Sequence, residues 1–123
     1  MLETTSLKLI ENLTKKHKLT EYQIDLLSKL LKFWRKGSIV YPGILKSKLH
    51  ISIKETYDIL EYMLKEGFLE RNFEIYCSKC NKFKGKIVRS LTDIPEDCCC
   101  EFCNHEIDPV TDTIAIYRVI KDE

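Results

Sequence analysis

The first half of the chain places its hydrophobic residues at helical spacing. Within residues 6–17, Leu7, Ile10 and Leu13 fall on one side of a helix of about 3.6 residues per turn, and Leu9 lies beside them. This pattern predicts a short amphipathic helix. Its apolar side is expected to pack on a core or against a second copy of the chain.

A longer helix is predicted between Thr20 and Lys36. Thr20 followed three residues later by Gln23 has the form of a capping box, in which each side chain bonds to the backbone N–H of the other residue. Gly37 is expected to end this helix. The apolar residues at helical spacing within it are Leu27, Leu30, Leu31 and Trp34.

Two more helices are predicted after a short β-branched strand at residues 38–41. Pro42 suits the first turn of a helix, so we expect a helix from there to Leu49, followed by a tight turn. Ser52, with a Glu three residues on, begins another capping-box pattern, and Gly67 closes the helix that follows. The arc predicted to face the core comprises Ile53, Thr56, Tyr57, Ile59, Leu60, Met63 and Leu64.

Strand patterns dominate the second half of the chain. Hydrophobic and polar residues alternate over residues 68–76, and residues 113–120 are rich in β-branched side chains. The first of these strands runs directly into Cys77, so no linker is expected between the helices and the cysteine-rich region.

Six cysteines lie within 27 residues, and four of them form two equally spaced pairs. The pairs are Cys77-x2-Cys80 and Cys100-x2-Cys103, separated by nineteen residues, which is the spacing of a four-thiolate zinc site. Since four cysteines close the coordination shell, we expect one structural Zn²⁺ and no open position for catalysis.

The residue that follows each pair supports this assignment. A zinc knuckle usually needs a left-handed backbone there, and the sequence supplies Asn81 and Asn104, which tolerate that conformation better than other residues with side chains. The remaining candidates are Cys98, Cys99 and His105. Either spare cysteine is a possible substitute ligand, whereas His105 is interpreted as a surface residue.

A disulfide framework is the alternative for an even number of cysteines. Nothing in the sequence suggests secretion, and three consecutive cysteines give awkward bridging geometry, so the metal site is favoured. Redox sensing through Cys98 or Cys99 is a further, weaker alternative. With three histidines and no phosphate-binding Gly-rich loop or nucleophile elbow, we expect no enzymatic activity and no small-molecule substrate.

Charge is balanced overall but unevenly distributed. The 123 residues carry 20 Lys and Arg against 19 Asp and Glu, for a net charge of +1. Residues 1–67 hold twelve basic and eight acidic side chains, whereas residues 68–123 hold eight and eleven. No carboxylate occurs between Asp25 and Glu55, a stretch that contains seven cations. No apolar run approaches the roughly 18 residues of a membrane span and no signal peptide is evident, so a cytoplasmic location is expected.

A resemblance to a known family follows from these motifs. The stretch ILKSKLHIS at residues 44–52, followed by the apolar positions of the next helix and by EGFL at residues 66–69, resembles a winged helix-turn-helix. With the paired knuckles next in the chain, the order is similar to the alpha subunit of general transcription factor E and its archaeal relatives. The resemblance covers about residues 20–105. The knuckles, which read CSKCN and CEFCN, lack the Pro and Gly usual in that family.

The resemblance implies an α+β fold, a winged helix-turn-helix fused directly to a small four-cysteine zinc ribbon. We divide the chain into an N-terminal helix (residues 1–19), a winged helix-turn-helix (20–76) and a zinc ribbon with a C-terminal strand (77–123).

Nucleic-acid binding is the function that this fold implies. The second helix of such a motif reads bases from the major groove, but here its polar arc would offer Lys54, Glu55, Asp58 and Glu61, with no Arg or Asn for a bidentate base contact. Contacts to phosphates are therefore expected instead. The candidates are Lys32, Arg35, Lys36, Lys46, Lys48 and Lys54.

Two hypotheses remain from the sequence. One is a DNA-binding, transcription-factor-like protein that makes mainly backbone contacts. The other is a protein-interaction adaptor, for example a small subunit of a bacterial defence or toxin complex, with no direct DNA binding. The apolar side of the first helix leaves monomer and dimer open.

Overall fold

The computed structural model describes residues 1–95 and 99–123 and is an α+β fold. Four helices precede most of the strands along the chain, which are β1 (Ile39–Val40), β2 (Leu69–Cys77), β3 (Lys82–Val88) and β4 (Thr113–Val119). The strand order in the sheet is β1-β4-β2-β3. The helices are α1 (Glu3–Lys16), α2 (Glu21–Phe33), α3 (Pro42–Leu49) and α4 (Ile53–Lys65).

The chain forms two compact units. The first contains Met1–Glu70 together with Tyr117–Glu123, and the second contains Arg71–Ile116. The second unit is therefore an insertion into the sequence of the first. Strands β2 and β4 each contribute residues to both units.

The helices of the first unit begin where the capping residues predict. The side chain of Thr20 accepts a hydrogen bond from the N–H of Gln23, whose own side chain accepts from the N–H of Thr20, so the predicted capping box is confirmed. The hydroxyl of Ser52 likewise accepts from the N–H of Glu55 at the start of α4. Between α3 and α4 the turn is made by His50, in the left-handed conformation with a φ of 55°.

The core of the first unit is made by the helices and the end of β4. Strand β1 pairs antiparallel with β4 through Val40 and Tyr117. The hydroxyl of Tyr117 donates a hydrogen bond of 2.6 Å to the carboxylate of Glu61 on α4. Fully buried helical side chains fill the centre: Leu13, Leu27, Leu31, Leu49, Ile59, Leu60 and Met63.

Three details of the predicted helices are wrong. The buried side of α1 is rotated from the predicted one, since Leu9 is buried and Leu7 is 57% exposed. Helix α2 ends at Phe33, before the predicted Lys36, and the side chain of Arg35 folds back to donate to the carbonyl of Lys32. On α4, the predicted arc is too wide, because Ile53 and Tyr57 at its edge are exposed.

The second unit has its own small core next to the cysteines. Strands β2 and β3 pair antiparallel, from Phe73 opposite Val88 to Cys77 opposite Lys82. A short 3-10 helix at Leu91–Asp93 follows. The buried cluster consists of Ile75, Cys77, Ile94, Cys100 and Ile107.

Candidate metal centre

Four cysteine sulfurs converge in the second unit. The Sγ atoms of Cys77, Cys80, Cys100 and Cys103 all lie within 4.8 Å of one another. Cys77 and Cys103 are 3.5 Å apart at sulfur, and Cys80 and Cys100 are 3.6 Å apart. The two sequence pairs thus meet as one group of four, the arrangement required to hold a single metal ion.

The distances fit a tetrahedral site better than disulfides. A disulfide joins its sulfurs at about 2.05 Å, much shorter than either separation observed here. Zinc–sulfur bonds of about 2.3 Å in a tetrahedron place the sulfurs about 3.8 Å apart, close to both values. No disulfide joins any of the five cysteines within the described ranges.

Both knuckles turn through an asparagine in the left-handed conformation, as predicted. Asn81 has a φ of 56° and Asn104 a φ of 58°. This turn brings the backbone N–H two residues past each second cysteine to the sulfur, from Lys82 to Cys80 and from His105 to Cys103. Such hydrogen bonds favour the thiolate that a metal requires.

The metal-free thiols differ in acidity. Burial, together with the neighbouring sulfurs, raises the pKa of Cys80 to about 12. Burial opposes ionisation of Cys100 as well, but the backbone N–H groups of Phe102 and Cys103 lower its pKa to about 6. A divalent ion replaces the protons shared among such sulfurs and holds all four as thiolates.

A buried carboxylate connects the two knuckles. Asp112 is fully buried, and its Oδ1 accepts hydrogen bonds from the backbone N–H of Ser78, at 3.0 Å, and from the Ser78 hydroxyl. Its Oδ2 lies 3.0 Å from Nε2 of His105 and accepts from the N–H of Asp108 at 2.7 Å. Ser78 lies inside the first knuckle and His105 just after the second, so one side chain joins both.

The ionised form of Asp112 is the stable one. Burial alone would raise its pKa, but the hydrogen bonds from Asp108 and Ser78 lower it to about 2 from the ordinary 3.8. A carboxyl whose pKa is lowered on folding contributes stability above pH 3.8, and the contribution is lost as the pH falls toward 2.

The spare candidates are not part of the four-sulfur group. Cys99 is exposed and makes an isolated bridge with Glu106. His105, expected at the surface, is half-buried and faces Asp112. Cys98 lies outside the described residues.

The candidate phosphate-binding residues all lie in the first unit and all are exposed. Lys46 and Lys48 are in the last turn of α3, Lys32 is in the last turn of α2, and Lys54 is at the start of α4. No ion pair to a carboxylate is found for any of them within residues 1–95 and 99–123. The exposed set is Lys32, Arg35, Lys36, Lys46, Lys48 and Lys54.

Asp112 is the functional-site residue that sequence reasoning missed. Its only signal is an acidic residue directly before a β-branched strand, in the sequence DPVTD at residues 108–112. Comparison with known proteins adds no further candidate, since no protein-family model, curated protein or solved structure matches this chain. Within the described part of the chain, none of the helices has the length and apolar character needed to span a membrane.

Proposed function

We propose that this chain is a non-enzymatic zinc protein that binds duplex nucleic acid through its phosphates. The observation that carries the zinc assignment is the convergence of four cysteine sulfurs at spacings close to those of a tetrahedral Zn²⁺ site. Four thiolates leave no position for a reacting water, which supports a structural role for the ion and an absence of catalysis.

The nucleic-acid part of the proposal rests on charge. The seven cations between Asp25 and Glu55 have no carboxylate among them in the sequence; Lys29 pairs with Asp25, whereas Lys46 and Lys48 on α3 are exposed. Lys and Arg that neutralise phosphates release counterions, which supplies affinity without base contacts. The order α3, turn, α4, then β2 is consistent with the winged helix-turn-helix that the sequence resembles, and β3 with the following cysteines is consistent with a zinc ribbon.

Base reading is not part of the proposal. The exposed arc of α4 offers Lys54 beside Glu55 and Asp58, and Glu61 is already engaged by Tyr117. Carboxylates repel phosphates, so this helix is a poor recognition helix. We expect binding with little sequence preference.

The test is a titration of the zinc-loaded protein with a labelled duplex of about 20 base pairs at roughly 50 and 200 mM salt. The double variant Lys46→Glu/Lys48→Glu should weaken binding by at least about tenfold and flatten the salt dependence. The matched control is Lys8→Glu/Lys15→Glu, which makes the same charge change on the exposed side of α1. The proposal would be rejected if both double variants lost the same amount of duplex affinity. It would also be rejected if the unmodified protein did not bind the duplex at low salt.

A protein-interaction adaptor is the second candidate, and exposed apolar side chains favour it. Phe33 at the end of α2 is 80% exposed, and Ile44 on α3 is 55% exposed. Exposed apolar side chains mark protein contacts where they lie together as a patch. The adaptor would be supported if the chain did not bind duplex. It would also require that Phe33→Asp, but not Tyr22→Asp, abolish binding to a defined protein partner.

A further inference from the structure

A second stretch without carboxylates lies in the second unit. Between Glu74 and Asp93 the sequence has no acidic residue, although the unit as a whole holds eight acidic residues against six basic ones. The stretch comprises the end of β2, the first knuckle and β3. Its cations are Lys79, Lys82, Lys84, Lys86 and Arg89.

An aromatic ring is exposed beside one of these cations, Lys82. Phe102 lies in the second knuckle, between Cys100 and Cys103, and is 65% exposed. Its ring is not part of the buried cluster of the second unit. The ammonium of Lys82 lies 4.1 Å from the ring centroid, which is a cation–π contact.

The side of the hairpin on which this contact lies is fixed by strand pairing. Lys82 is opposite Cys77, whereas the next residue, Phe83, is opposite Tyr76. Neighbouring residues of a strand point to opposite sides, so Phe83 and Lys82 face different ways. The ring of Phe83 packs against Tyr76 at 5.6 Å, and Phe83 is 56% exposed.

We propose that Phe102 and Lys82 form a binding site for single-stranded nucleic acid. An unpaired base stacks on the Phe102 ring, the Lys82 ammonium moves from that ring to the adjoining phosphate, and the exposed Lys79 and Lys86 attract the backbone. Exposed aromatic rings combined with cations are the means by which proteins hold single strands without sequence preference. A duplex keeps its base faces stacked on one another, so it cannot use this ring.

One neighbouring charge opposes the ligand. Glu101 is exposed and directly precedes Phe102. Its carboxylate repels a phosphate placed near the ring, so Glu101→Gln should tighten the binding of a single strand. A site for an apolar or cationic partner would show no gain, or a loss, from the same change.

This inference goes beyond the proposed duplex binding and uses the other unit. The duplex proposal depends on Lys46 and Lys48 in the first unit, and the single-strand site depends on Phe102 and Lys82 in the second. Each is therefore tested by its own variant and its own ligand.

The test is fluorescence anisotropy of a labelled oligothymidylate of about 12 nucleotides with the full zinc-loaded chain. Phe102→Ala should weaken binding by about 5- to 100-fold, since this is the usual range for removing one stacking ring. Phe102→Tyr should restore it. Phe83→Ala, an equally exposed ring on the other side of the strand, is the matched control and should change the affinity by less than about twofold.

Further measurements distinguish a single-strand site from other kinds of binding site. Lys82→Gln should reduce the slope of log affinity against log salt by about 0.7, the value for one phosphate contact on a single strand. Phe102→Ala should leave the zinc content and the duplex affinity unchanged. The proposal is overturned if the unmodified chain does not bind oligothymidylate at about 50 mM salt, or if Phe102→Ala binds as tightly as the unmodified chain. It is also overturned if polyglutamate competes as well as the oligonucleotide, because the face would then be a site for acidic proteins.

Discussion

Asp112 binds Ser78 twice, through the backbone N–H and through the hydroxyl, although 34 residues separate them in the sequence. The same carboxylate faces His105 on its other oxygen. The residue therefore holds the backbone of both knuckles where the four sulfurs converge. We regard it as a positioning residue for the metal centre.

We predict that Asp112→Asn lowers the affinity for Zn²⁺ by about 10- to 100-fold, the range usual for residues that support metal ligands. The asparagine side chain is uncharged. Its NH2 group would place a hydrogen-bond donor opposite Ser78, Asp108 or His105, each of which now faces a carboxylate oxygen. Competition with a chromophoric chelator measures the affinity, and the Co²⁺ absorption spectrum reports the ligand geometry.

The control for this variant is Asp93→Asn, an exposed carboxyl on the short 3-10 helix of the same unit. It should bind zinc like the unmodified protein. An Asp112→Asn protein with unchanged zinc affinity and an unchanged Co²⁺ spectrum would contradict the role assigned to Asp112.

Loss of the metal should unfold the second unit and leave the helices of the first. Binding on the order of 10 kcal/mol or more stabilises segments too small for a core of their own. Cys77→Ser or Cys103→Ser should abolish stoichiometric zinc and move the methyl signals of Ile94 and Ile107 to random-coil shifts in NMR spectra. Helical circular dichroism should persist.

Cys99→Ser is the matched control, because Cys99 is exposed and lies outside the four-sulfur group. It should keep one zinc per chain. Loss of zinc on this change would mean that the ligand set is wrong. Cys98→Ser, expected from the sequence to be mild, concerns a residue outside the described ranges.

The left-handed asparagines give a test of the knuckle geometry. At a φ near 58°, Asn104→Gly should be neutral or slightly stabilising, whereas Asn104→Val should destabilise the second unit by about 1 to 2 kcal/mol because of its branched Cβ. Thermal melts of the zinc-loaded proteins compare the two. Equal melting temperatures for Gly and Val would show that this turn does not constrain the site.

A helix cap gives a test of the first unit. Ser52→Ala removes the acceptor for the Glu55 N–H and should cost about 1 kcal/mol in the free energy of unfolding. Ser47→Ala, within α3, removes a bond back to the Gly43 carbonyl and should be nearly neutral. Urea denaturation, monitored by the fluorescence of Trp34, measures the free energy of unfolding of both variants. A smaller cost for Ser52→Ala than for Ser47→Ala would contradict the cap assignment.

Local signals in the sequence are sufficient to predict most helices and the group of four cysteines. Capping pairs such as Thr20 with Gln23 fix where helices begin, because the bonds involved join residues only three apart. The repeated two-residue gaps fix the knuckles for the same reason. These elements were predictable.

Features that depend on distant contacts were not predictable. Strand β3 has Lys at alternate positions and a Gly within it, so its pairing with β2 has little local signature. Leu7 and Leu9 are equally apolar, and only the packing of α1 decides which is buried. Asp112 acquires its role from Ser78 and His105, which the sequence gives no reason to place beside it.

The insertion of the second unit into the first has a consequence for chain entropy. Residues 71–116 form a loop that must close before Tyr117 and Val119 can join the core of the first unit. Closing a disordered loop of this length costs about 3 kcal/mol, and a loop already folded around a metal has lost most of that freedom. A bound ion would therefore stabilise the helices as well, and removing it should lower their melting temperature even though the four cysteines do not belong to their unit.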